Sequence, residues 1–168
     1  MSDVLILALR STGWLAVTLL TATLLVTPLA RVAASRGRSR TRLLASRRWF
    51  GIATASVACA HTGLATLVYL PRAPWHAIYE VTWLRSGALA LTLLLPLLLT
   101  SFPALVRFTR VVLWKALHRL VYVVPLLVVH HLALSPFAPR AWVIALAVWL
   151  AVVLAVRLLP TRVAEPRA

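Results

Sequence analysis

Five mostly apolar stretches, each long enough to cross a bilayer, alternate along the chain with short polar segments. A membrane helix needs about 20 predominantly apolar residues, within a range of about 17–25. Runs at 4–30, 49–70, 78–100, 111–134 and 141–159 qualify. They predict an all-α membrane protein, a bundle of five transmembrane helices forming one domain over residues 1–168. Pro28, Pro71, Pro74, Pro136, Pro139 and Pro160 fall at span ends or in connections, where a missing N–H is harmless. Pro96 and Pro125 lie inside the third and fourth spans, where membrane helices tolerate a kink once neighbours re-satisfy the freed carbonyl.

The charges between the spans orient the bundle. Arg31, Arg36, Arg38, Arg40, Arg42, Arg47 and Arg48 crowd the first connection, and excess Lys and Arg mark cytoplasmic loops. Alternation then puts Arg107, Arg110 and Lys115 inside, together with Arg157, Arg162 and Arg167, and leaves Arg72 and Arg140 in the outer connections. The expected topology has the N-terminus outside and the C-terminus in the cytoplasm. Trp14, Trp49, Trp75, Trp83, Trp114 and Trp142 sit near span ends, as an interfacial aromatic belt requires.

Composition excludes a water-covered surface. Of 168 residues, 62% are hydrophobic and 12% charged. Soluble domains carry about 25% charged residues, so the lipid bilayer must be the partner covering most of this surface. A net charge of +15 and the run RGRSRTR at 36–42 resemble nucleic-acid-binding stretches. Positive-inside topology accounts for both, and no nucleic acid is expected. Cys59 has no disulfide partner within the chain, and MSDVLILALR lacks the basic start of a cleaved secretory signal. No GxGxxG or GxxxxGK[ST] occurs, and the short connections leave no room for a nucleotide-binding domain.

The chemistry rests on histidines. Leu113–Ser135 carries His118, His130 and His131 in an apolar run, and His61 lies in the second span. Ionisable side chains inside a membrane are functional-site hypotheses by default. Zinc prefers three or four ligands including Cys or carboxylate, and a proton relay wants Asp or Glu at mid-membrane; these spans offer neither set. A bis-histidine haem asks for two imidazoles on facing helices, an apolar slot and nearby cations. At about 100° per residue, His118 and His131 differ by roughly 140° on a straight helix, although a kink at Pro125 can redirect the upper half. By depth, His61 falls about 10 Å from His131 and about 14 Å from His118. The expected axial pair is His61 with His131, His130 being the register alternative. His118 is either a second-site ligand or an inner-surface residue, and His76 is expected to be solvated in an outer connection.

RRWFGIATASVACAHTGLATLVYL, LLLPLLLTS and WKALHRLVYVVPLLVVHHL, with TGWLAVTLLTATLLVTPLAR in the first span, resemble the ferric-reductase-like transmembrane domain. Within it they are most similar to the haem-binding membrane subunits of bacterial periplasmic methionine sulfoxide reductase systems. The resemblance runs from about 12 to about 159. It implies a haem b cytochrome of the bacterial inner membrane, an electron-transfer subunit rather than a stand-alone catalyst. Electrons would come from a cytosolic flavin reductase or from quinol, and pass to a periplasmic molybdopterin-dependent methionine sulfoxide reductase. FMN is a further cofactor the resemblance implies. Its haem histidines fall on His61, His118 and His131 of this chain. Such subunits usually have one more N-terminal helix, whereas this sequence starts just before the first span. Two other functions compete: a metalloreductase-type cytochrome with a different acceptor, and a non-redox transporter or assembly factor.

Overall fold

The computed structural model describes residues 3–35, 40–69, 77–107 and 110–159. His76, Arg72, Arg36 and Arg38 lie outside them. The described residues form helices α1 (Asp3–Ser35), α2 (Arg40–Tyr69), α3 (Ala77–Glu80), α4 (Thr82–Leu99), α5 (Pro103–Val106), α6 (Val111–Arg119), α7 (Val124–Leu134) and α8 (Arg140–Leu158), with no strand among them. Five stretches are long and apolar enough to span a membrane: Asp3–Ala34, Thr41–Val68, Thr82–Leu99, Val111–Leu134 and Arg140–Leu158.

Four features depart from the sequence pattern: the first helix runs on to Ser35 rather than ending at 30, the third span starts at Thr82 rather than 78 with α3 a separate turn before it, and the second and fourth spans differ as well. The second helix begins at Arg40 rather than 49, so Arg42, Arg47 and Arg48 ride on its first turns instead of in a loop. Arginine is a good helix former, and hydropathy cannot separate a helical extension from a connection. The fourth span is broken: α6 ends at Arg119, a 3₁₀ turn covers Leu120–Tyr122, and α7 starts at Val124. Pro125 explains the break, because its ring would collide with the carbonyl four residues earlier, that of Val121.

α1 packs along α2, α4 along α7, and α8 against both α1 and α7. Their shared core is Leu20, Leu24, Ala55, Leu94, Leu97, Val121, Val124, Leu150 and Val153. The opposite faces are also apolar: Val112 is 80% exposed, and Leu126, Ile144 and Val148 are exposed as well. In water that outer surface would be unfavourable at every position; against lipid tails it costs nothing.

Many hydroxyls inside the spans bond back to their own helix, although the buried Thr27 Oγ1 has no partner among the described residues. Thr21 Oγ1 donates to Val17 O at 2.9 Å, Thr54 Oγ1 to Phe50 O at 2.7 Å, and Thr92 Oγ1 to Ala88 O at 2.9 Å. No hydroxyl donor of these side chains is left facing hydrocarbon. At one end of the bundle Arg31 clamps α1 to α8. Its Nη1 donates to Val156 O at 3.2 Å and Leu159 O at 3.1 Å, and its Nη2 to Arg157 O at 3.1 Å. These are carbonyls that the helix end leaves without partners. Arg157 is itself buried, with Nε donating to Tyr122 Oη at 3.2 Å and the guanidinium 5.0 Å from the Tyr122 ring centre. We call this the arginine end; the opposite end holds the start of α1, the end of α2, the start of α4 and the end of α7.

Candidate metal centre

Near the opposite end, α2 and α7 present His61 and His131 to each other. Their ring centres are 6.4 Å apart and the rings are nearly perpendicular, at 88°. Each ring is fixed from behind by a backbone carbonyl on a different helix. His61 Nδ1 lies 3.0 Å from Leu9 O on α1, and His131 Nδ1 lies 2.7 Å from Trp83 O on α4. A carbonyl only accepts, so both Nδ1 atoms carry a proton, and in the neutral rings both Nε2 lone pairs stay free. Thr12 Oγ1 stands 3.3 Å from His61 Nδ1 while donating to Ala8 O at 2.8 Å, which leaves its lone pairs to share the imidazole proton.

Two glycines make room for the rings. A Cβ on Gly13 of α1 would lie 3.0 Å from His61 Cε1, and one on Gly87 of α4 would lie 2.8 Å from His131 Nδ1. The second contact is closer than real Cβ atoms come. The ring it would strike also packs against Trp83, one turn earlier on α4, whose ring centre is 5.8 Å from that of His131. A cavity of about 240 Å³ opens between these helices, bounded by both histidines and both glycines. Ala58, Ala65, Ala88 and Ala90 line much of its wall, and small side chains let helices leave a flat slot between them.

The arrangement can take one metal ion between two neutral imidazoles. Two metal–nitrogen bonds of about 2 Å, plus half a ring on each side, separate ring centres by roughly 6 Å, which the observed spacing matches. Metal-bound histidines characteristically donate the other ring N–H to a carbonyl or carboxylate, which fixes the tautomer and orients the ring. Both rings here already have that second partner.

The other histidines are placed apart. His130 is exposed and turned away from the pair, so the doublet presents His131 to His61. His118 is near the arginine end, its ring centre 4.2 Å from that of Trp114, with Nδ1 3.0 Å from Trp114 O in its own helix. It borders a second cavity of about 580 Å³, with Arg47, Arg48, Arg107, Thr100 and Ser101. Among the described residues no other histidine lines that cavity. Arg47 is within electrostatic reach of His118, Tyr122 and Arg157. No cluster of three or more His, Cys, Asp or Glu side chains able to hold a metal occurs among the described residues, and Cys59 is a free thiol. Sequence reasoning missed Gly13, Gly87 and the two carbonyls. The only available signal was a glycine within the first and third spans at about the depth of a histidine.

These features define a multi-pass helical membrane protein whose second and fourth spans carry a half-buried pair of facing histidines. The chain belongs to the ferric reductase like transmembrane component family, which matches residues 12–129. Among curated proteins it is similar to the protein-methionine-sulfoxide reductase heme-binding subunit MsrQ of Rhodospirillum rubrum, with 36% identity over 122 residues, covering 70% of this chain and 58% of that protein. It is 40% identical over 97 residues to the protein of the same name from Azospira oryzae, covering 54% of this chain and 40% of the relative. The matched region thus spans about half the length of these curated relatives. No solved structure matches.

Proposed function

We propose that this chain is the haem b membrane subunit of a methionine sulfoxide reductase system in the bacterial inner membrane. In this reading it passes electrons from the cytoplasmic side to a periplasmic molybdopterin-dependent reductase. The observation that carries the reading is the His61–His131 pair, with both Nδ1 protons committed to carbonyls and both Nε2 atoms free. Haem bound there supplies a one-electron carrier within the apolar slot. His61 and His131 would hold the iron, with Leu9 O and Trp83 O keeping their rings aligned and the apolar walls excluding water. The family and the heme-binding relatives support the same cofactor. Reducing a sulfoxide to a thioether and water takes two electrons and two protons, so a one-electron carrier must deliver twice.

We place electron entry at the arginine end and read that end as cytoplasmic, since arginine excess marks the inner face. The second cavity is suited to the donor's cofactor. Arg47 and Arg48 offer cations for the phosphate of FMN, the apolar walls of Leu94, Leu97 and Val121 accept a flat ring or a quinol, and His118 stands at its edge. Topology is checked by a membrane-impermeant maleimide on single cysteines in a Cys59→Ala background. Arg140→Cys is expected to label from outside on intact spheroplasts, and Ala104→Cys only after lysis; the reverse pattern would invert the bundle. The electron route is checked in membranes whose haem has been reduced by quinol or by a flavin reductase with its pyridine nucleotide. Adding the periplasmic reductase with methionine sulfoxide is expected to reoxidise the haem, and methionine itself is expected to leave it reduced. Reoxidation that ignores the sulfoxide would point to another acceptor.

A further inference from the structure

Among the described residues, Arg10 is the single lysine or arginine lining the cavity that holds His61 and His131. It follows Leu9, whose carbonyl fixes His61, and lies three residues before Gly13, so one helical turn brings all three to the slot. Its side chain is exposed at the mouth and makes no ion pair with a described residue. The described acids, Asp3 and Glu80, do not line the cavity. Among the described residues the opening therefore carries a cation with no acid beside it in the lining, above walls that are otherwise almost wholly apolar. A flat, largely apolar ligand that carries carboxylates at one edge complements that distribution.

We propose that Arg10 pairs with a propionate of the haem and so fixes which edge of the macrocycle faces the histidine end of the bundle. This rests on the haem reading above. A fixed guanidinium can meet a carboxylate through two parallel N–H···O bonds, which sets orientation as well as attraction. Its positive charge favours the reduced, less positive iron, so it raises the midpoint potential. Being exposed, the pair contributes modestly to retention.

The test compares Arg10→Gln, Arg10→Lys and Arg85→Gln in the purified holoprotein. Arg85 is exposed at the same end and does not line the cavity. Arg10→Gln is expected to keep a bis-histidine spectrum, show a lower midpoint potential, and release haem to apomyoglobin about fivefold faster. Arg10→Lys should recover most of the potential, and Arg85→Gln should leave both readings at the wild-type value. Three results would overturn the proposal. One is an Arg10→Gln protein with haem retained and potential unchanged; another is equal effects from Arg85→Gln; the third is haem loss in Arg10→Lys as complete as in Arg10→Gln. A wild-type protein without haem would instead remove the reading on which the proposal rests.

Discussion

Gly87→Ala is expected to weaken haem binding by about 10–100-fold while the helices remain folded. The added Cβ would sit 2.8 Å from His131 Nδ1, inside contact distance, so the imidazole must shift. Its Nδ1 is bonded to Trp83 O at 2.7 Å, and Trp83 is in turn braced by Phe137, their ring centres 6.2 Å apart. Relief requires the ring to turn, which breaks the carbonyl bond and changes how the ring stands against that of His61. Losing such an orienting partner typically costs about 10–100-fold in metal affinity. Gly13→Ala should act in the same direction and more weakly, since its nearest approach is 3.0 Å, to His61 Cε1. Gly63→Ala is the control: a Cβ there meets nothing within 4 Å, and alanine in a helix interior is favoured over glycine by about 1 kcal/mol. Pyridine haemochromogen content and helical circular dichroism on the three variants check this. Full haem content in Gly87→Ala would mean that His131 is not held as described.

The second large effect separates the histidines. His61→Ala and His131→Ala are each expected to drop haem content to near zero, because one imidazole cannot hold a six-coordinate iron in an apolar slot. His130→Ala is expected to retain the wild-type content, since that side chain is exposed and does not meet His61. His118→Ala should leave the same spectrum and lower FMN retention, if the second cavity is the flavin site. His61→Gly grown with imidazole distinguishes a missing ligand from misfolding: restored absorbance marks an intact slot. Haem lost from His130→Ala and kept in His131→Ala would exchange the roles of the doublet.

Much of this was legible from residue types and spacing. Hydropathy alone located the five spans, because a bilayer demands the same length of apolar helix from each. Depth counting paired His61 with His131, since a rise of about 1.5 Å per residue holds well enough along α2 and is little altered by the short 3₁₀ turn before α7. The same counting could not choose between His130 and His131. Neighbouring residues differ by about 100° in direction, and the 3₁₀ turn at Leu120–Tyr122 resets the angular register below them. Leu9 O and Trp83 O left no trace in the pattern, because every residue carries a carbonyl and only packing decides which one meets a histidine. Gly13 and Gly87 were visible only as missing side chains, a signal shared with every glycine in a helix. The helical course of Arg40–Arg48 was hidden because hydropathy reads charge as connection.

The measurement that bears most directly on the central claim is the spectrum of the purified wild-type protein in its oxidised and reduced forms. Two histidines whose Nδ1 protons are already spoken for predict a six-coordinate, low-spin haem b in both states, with a Soret band that shifts on dithionite reduction and does not change on adding imidazole. A colourless protein from haem-replete cells, or a five-coordinate spectrum that imidazole converts to six-coordinate, would contradict the His61–His131 centre.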